Sequence, residues 1–202
     1  MHMTVTEREG WGGIVSALQR AGDGDVVRLE AGTYRGDTTL VVPRGVELIG
    51  NSGTVLEMHE VMPVIQVHAS GGQQVRNLEV RLDQAAGTAA GCGEFYYGIV
   101  DVENAKHVIF ADLLLCGGGH SLMGFSLRAS DRIQIESCHV TLLTRSGLLL
   151  AGVRDADVDQ CEIDHCGGGI VSRRWSKLSA SLRLTANRCH DNALSGIALK
   201  SA

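Results

Sequence analysis

Glycine followed by a short apolar run recurs through the second half of the chain. It appears as Gly98-Ile99-Val100, Gly124-Phe125-Ser126-Leu127, Gly147-Leu148-Leu149-Leu150, Gly169-Ile170-Val171 and Gly196-Ile197-Ala198-Leu199, at spacings of 26, 23, 22 and 27 residues. Between these glycines lies a second run in which apolar positions alternate: Val108-Ile109-Phe110, Ile133-Gln134-Ile135, Ala156-Asp157-Val158 and Leu182-Arg183-Leu184. Five residues past the last member of each stands another apolar or small residue, Leu115, Val140, Ile163 or Cys189. Several short strands per copy, separated by turn-forming Gly, Asn and Asp, are the mark of a solenoid. No copy carries a long amphipathic helical pattern, which excludes helical repeats. The pattern predicts an all-β chain, a right-handed parallel β-helix of about seven coils. Strands of adjacent coils would pair in parallel ~4.8 Å apart, and inward side chains would form columns along the axis. One such column reads Leu78, Leu113, Cys138, Cys161, Asn187.

A stacked core needs covers at its ends. Ile14, Leu18 and Ala21 fall on one helical face of a segment that stops at Gly22, which predicts a short capping helix over the first coil. Residues 1–11 read as an N-terminal tail and 12–202 as the solenoid. The last run, Gly196 to Leu199, is as apolar as any interior strand. The expectation there is a chain cut from a longer solenoid, or an end-to-end contact with a second copy.

Composition narrows the picture. The chain has 202 residues, 44% of them hydrophobic but only 4% aromatic, so the core should be built from Val, Ile, Leu and Ala. A net charge of −5 gives no global attraction to nucleic acid or an anionic membrane. No run reaches the ~18 apolar residues of a bilayer span. The N-terminus lacks a secretory pattern, so the chain reads as cytoplasmic, or secreted had a native leader been removed. Six cysteines, Cys92, Cys116, Cys138, Cys161, Cys166 and Cys189, read as reduced, buried fillers, with a Cys138–Cys161 disulfide as the alternative.

Asp23-Gly24-Asp25-Val26-Val27-Arg28-Leu29 leads into Ala31-Gly32-Thr33-Tyr34, followed by Leu40-Val41-Val42 and Val46-Glu47-Leu48-Ile49-Gly50. This run resembles the first coils of right-handed β-helix proteins of the pectin lyase-like superfamily. Cys189-His190-Asp191-Asn192-Ala193-Leu194-Ser195-Gly196-Ile197 is similar to their repeat units. The resemblance covers roughly residues 12 to 202 and implies the fold. It does not imply one activity, since the superfamily holds lyases, hydrolases, esterases, epimerases and non-enzymatic modules. Its polygalacturonate hydrolases carry aspartates just before the Gly-Ile strand. Here those positions read Tyr96-Tyr97, Leu122-Met123, Arg145-Ser146, Gly167-Gly168 and Leu194-Ser195, with no carboxylate among them. Hydrolysis needs a paired acid and base, so glycoside hydrolase activity is not expected. The Asp-Pro-His-Asp motif of alginate epimerases is also missing.

Three polar groupings remain as candidates. An insertion from Asp83 to Tyr97 ends in Glu94-Phe95-Tyr96-Tyr97, whose aromatic faces would suit stacking on sugar rings. A basic stripe four residues past the repeating glycine holds Arg128, Arg173 and Lys200, with Arg174 alongside and Val102 and Ala151 interrupting. Such a row suits the carboxylates of an acidic sugar polymer, and one of its members could serve a lyase as base. Asp164-His165 and His190-Asp191 fall on successive coils, with Asp164 set beside His190 and His165 beside Asp191; they are the weak candidates for catalysis. Asn, Asp and His also serve simply to satisfy solenoid turns. No cofactor and no metal are expected, because nucleotide, phosphate-loop and zinc patterns are absent. Two readings follow. The first is a non-catalytic interaction or assembly module inside the cell, with a protein partner. The second is a module that binds acidic polysaccharide, or a polysaccharide lyase-like protein.

Overall fold

The computed structural model describes residues 1–60, 62–69, 71–87, 97–120, 122–174 and 179–199, with the backbone alone at 84–87. Its strands pair in parallel with their counterparts one coil away, making a β-solenoid of about seven turns. The fold is the expected parallel β-helix. Three walls run along its axis. Wall A contains His2–Val5, Val26–Leu29, Glu47–Gly50, Asp131–Glu136, Arg154–Asp159 and Arg183–Thr185. Wall B contains Gly32–Gly36, Thr54–Glu60 and Arg188–His190. The long strands Gln74–Gly87 and Lys106–Cys116 bend from wall A into wall B. Wall C contains Leu40–Val41, Ile65–His68, Gly98–Glu103, Met123–Arg128 and Ile197–Leu199. His139–Ala151 and Glu162–Arg173 run from wall B into wall C.

The bends have a local cause. From the third coil on, each A-to-B corner is made by one residue with positive φ: Asn77 (53°), Asp112 (54°), Ser137 (50°), Gln160 (52°) or Ala186 (51°). Only Asn and Asp adopt this left-handed conformation readily, so the other corners hold strain of ~1 kcal/mol each that the ladder must offset. A second left-handed column, His107, Arg132, Asp155 and Ser181, sits where the chain enters wall A.

The inward columns match the repeat. Val108, Ile133 and Ala156 are in register, as are Leu115, Val140, Ile163 and Cys189. The glycine column is one residue out at its first member, because Gly98 pairs with Met123 rather than Gly124. At Gly124, Gly147 and Gly169 a side chain would collide with its surroundings: a Cβ on Gly169 would lie 2.0 Å from the Gly196 carbonyl oxygen of the next coil. The cysteine column is as read. Leu78, Leu113, Cys138 and Cys161 are buried, and Cys116, Cys138, Cys161, Cys166 and Cys189 are free thiols. Cys138 and Cys161 each donate to the carbonyl two residues earlier, at 3.2 and 3.3 Å. Asn187 ends the column with both halves of its amide engaged, accepting from Cys161 N (3.0 Å) and donating to Val158 O (2.7 Å). Cys92 lies outside the described residues.

Two boundaries differ from the sequence reading. Residues 1–11 are not a tail: His2–Val5 pairs with Val26–Leu29, since Met3 and Val5 alternate inward as any wall A strand does. The capping helix α1 runs Gly10–Arg20 and buries Trp11, Ile14, Ala17 and Leu18 against the first coil. The insertion is also shorter than it looked, because residues 83–87 continue the strand Gln74–Gly87 beyond wall B, with Glu60 opposite Gly87 past a bulge. Among the described residues, the scarce aromatics other than Tyr97 serve the interior. Trp11, Tyr34, Phe110 and Phe125 are all buried.

Candidate functional site

On a solenoid wall the outward residue of each strand stacks on its counterpart in the next coil. In wall A these residues are the middle members of the recurring triplets, Ile109, Gln134, Asp157 and Arg183, which are in register. Beside them runs the left-handed column His107, Arg132, Asp155 and Ser181. Together the two columns line an open groove of about 590 Å³. It crosses four coils, hence ~14 Å of axis at the strand spacing. Ile109 gives it a half-buried apolar floor. Arg183 donates to Asp157 Oδ2 at 3.1 Å. Arg132 donates to Nε2 of His107, which requires that nitrogen to be unprotonated. Gln134 and Asp155 are exposed along the same trough. At its His107 end the groove meets a second hollow of about 510 Å³, lined by Asp23, Arg44 and Lys106 among others. A trough of this size, with donors and acceptors alternating over an apolar floor, fits a chain ligand rich in hydroxyl groups.

None of these groove residues was singled out as a site by sequence. Their signal was the alternation itself, which marks the middle of each triplet as outward without saying what it does.

The histidine cluster lies on wall B, away from the groove. Asp164 does stand in register with His190, but their side chains turn to other partners. Asp164 is held by His139 Nε2 (3.2 Å) and by its neighbour His165 Nδ1 (3.4 Å). His190 bonds Glu162 through Nε2 (2.9 Å) and Asp191 through Nδ1 (2.8 Å). The Asp164–His190 pair expected from register is therefore replaced by diagonal contacts, because side chains lean along the strand. The bonds to Glu162 and then Asp191 raise the His190 pKa, and the His190 bond lowers those of Glu162 and Asp191. Burial alone would raise Asp164, yet bonds from Thr141, His139 and His165 hold it below the ordinary value. Among the described residues, no group of His, Cys, Asp and Glu is arranged to hold a metal ion.

His190 ties the last described coil to the one before it, which sets a pH dependence. A raised imidazole pKa contributes stability below its ordinary value of 6.5 and loses it as pH rises through the folded value. The lowered Glu162 contributes above its ordinary 4.5 and loses it as pH falls through its folded value. The local stability of residues 188–190 should therefore be greatest between those limits and fall as pH rises through the folded His190 value. NMR titration of His190, with amide exchange corrected for intrinsic rates, would show this, and His190→Ala should abolish the change.

The expected basic stripe is not an open row. Arg128 stacks under Glu103, not Val102, and over Ala151, with Arg173 next. Its side chain is 5% exposed and donates to Asp101 Oδ2 (3.0 Å) and Glu103 Oε2 (3.2 Å). Asp101 points outward from wall C yet is fully buried; burial raises its pKa while Arg128 pulls it back down. The Tyr97 ring stands 5.2 Å from the Arg128 guanidinium. Tyr97 and Arg128, taken from two separate groupings, are thus in contact, but as a neutralised and largely enclosed cluster. Arg173 and Arg174 are exposed. Glu94, Phe95, Tyr96 and Lys200 lie outside the described residues.

No protein-family model matches the sequence, and no curated protein matches it. Solved structures do resemble it. A candidate glycosyl hydrolase from Parabacteroides merdae shares 11% identity over 91% of this chain and 90% of its own, with a TM-score of 0.67. A pectin methylesterase solved with a hexasaccharide shares 14% over 81% of this chain and 55% of its own, at 0.59. A rhamnogalacturonan lyase shares 12% over 93% of this chain and 62% of its own, at 0.57. At these identities the likeness is one of fold: this chain and those proteins share a parallel β-helix. This chain spans 55% and 62% of the length of the last two.

Proposed function

We propose that this protein binds a linear polysaccharide along the solenoid axis, in the groove of wall A. The groove's geometry carries the reading: one open trough over four coils, with polar side chains repeating at the coil spacing. A polymer of repeating sugars is the ligand class that can follow such an axial row and meet a side chain on each coil. The structural neighbours described as a pectin methylesterase and a rhamnogalacturonan lyase support it at the level of fold. The reading is one of binding. Asp155 and Asp157 come from one strand, whereas hydrolysis calls for an acid and a base on opposite sides of the bond.

Calorimetric titration against a panel of oligosaccharides tests the reading. At least one is expected to bind, and the double variant Arg132→Ala/Gln134→Ala to weaken that binding ~10-fold or more, as loss of two direct hydrogen-bonding groups would. Glu162→Gln on wall B should leave it unchanged. Absence of binding to every member, or binding indifferent to the wall A variant, would overturn the proposal.

A further inference from the structure

We infer that the groove selects a sugar chain without net charge over a polyuronate; this rests on the polysaccharide reading above. The lining among the described residues contains two cations, Arg132 and Arg183, and two carboxylates, Asp155 and Asp157. Arg183 is already neutralised by Asp157 at 3.1 Å. Arg132 is bonded to an unprotonated imidazole nitrogen, so its charge is not cancelled there. Asp155 stands on the adjacent coil, exposed to the trough, with no ion pair among the described residues. The two uncompensated charges are thus opposite in sign and one coil apart.

A polyuronate would bring a carboxylate on every sugar to a trough with no surplus of positive charge. One of those carboxylates would have to pass the free Asp155, a like charge at close range. A neutral chain meets a better match. Its hydroxyl groups both donate and accept, so Asp155 and Gln134 can take their protons while Arg132, Gln134 and Ser181 offer donors. The adjoining hollow, where Asp23 stands with Arg44 and Lys106, carries one cation in excess but lies beyond the His107 end of the trough. The cations that favoured an acidic polymer in the sequence are elsewhere: Arg128 is enclosed with two carboxylates on wall C.

The test compares neutral glucan and N-acetylglucosamine hexamers with oligogalacturonate and oligoalginate of equal length, at about 50 and about 500 mM salt. A neutral hexamer should bind at least ~10-fold tighter than either uronate and keep its affinity within about twofold across the salt range. Asp155→Asn should narrow the ratio by improving uronate binding. A uronate that binds as tightly as the neutral chains, with affinity falling steeply in salt, would overturn the inference and leave the polysaccharide reading standing. Failure of every hexamer would instead remove that reading, and the inference with it.

Discussion

Arg128→Ala is expected to lower the unfolding free energy by about 3–5 kcal/mol, the range for breaking a buried ion pair from one side. For a chain of this length that corresponds to a drop of roughly 10 °C in Tm. Asp101 has no access to solvent, so removing the guanidinium leaves a carboxylate that must stay charged without a counter-ion beside it, held by Gln66, or take up a proton. The bond to Glu103 adds little, since Glu103 is 31% exposed and can return to water. Replacing both partners, as Arg128→Met with Asp101→Leu, should recover much of the loss. The pH behaviour separates a charge effect from lost packing. A carboxyl whose folded pKa is raised contributes stability below its ordinary value of 3.8 and loses it as pH rises through the folded value. Without Arg128 that folded value climbs further. The deficit of the variant relative to the parent should therefore shrink as pH is lowered from 7 toward 4. Thermal melts of both proteins across that range check it, and a deficit that is small at pH 7, or constant with pH, would refute the buried-charge account.

That cluster also shows what a single sequence exposes and what it hides. The interior columns were legible because the lumen accepts only apolar or small side chains, so Leu115, Val140, Ile163 and Cys189 repeat in kind as well as in spacing. Outward positions carry no such restriction. Ile109, Gln134, Asp157 and Arg183 form a column with nothing in common but direction, and the groove they make was invisible for that reason. The stripe of Arg128 and Arg173 erred the other way. Like residues at a fixed offset looked like a surface, but the first spacing of 26 residues hides a one-residue shift that puts Glu103 next to Arg128. Nor does spacing record that Asp101 is enclosed beside it. Side-chain lean separated Asp164 from His190 despite correct register.

Phe110→Ala should cost about 3–5 kcal/mol, near the upper end for a core truncation. Phe110 is fully buried on wall A and meets Phe125 on wall C of the same coil edge to face, with ring centroids 5.4 Å apart and planes at 60°. The contact therefore bridges the lumen and ties wall A to wall C within one coil. A cavity left there has few ways to close. The backbones on either side are held in register by parallel ladders to the coils above and below, Val75 and Ile135 flanking Phe110 itself. Neighbouring side chains are aliphatic and already occupy their own layers. Phe110→Leu, which keeps most of the volume, should cost less than half as much. A double-mutant cycle with Phe125→Ala should show coupling of about 0.5–1.5 kcal/mol from the edge-to-face geometry. Leu142→Ala, at a 43% exposed side chain, is the control, expected to stay within about 0.5 kcal/mol. Equilibrium denaturation with unchanged m-values measures all four. A Phe110→Ala loss comparable to that control would mean that the lumen relaxes around the missing ring, and the rigid stacking that positions the wall A residues would fail with it.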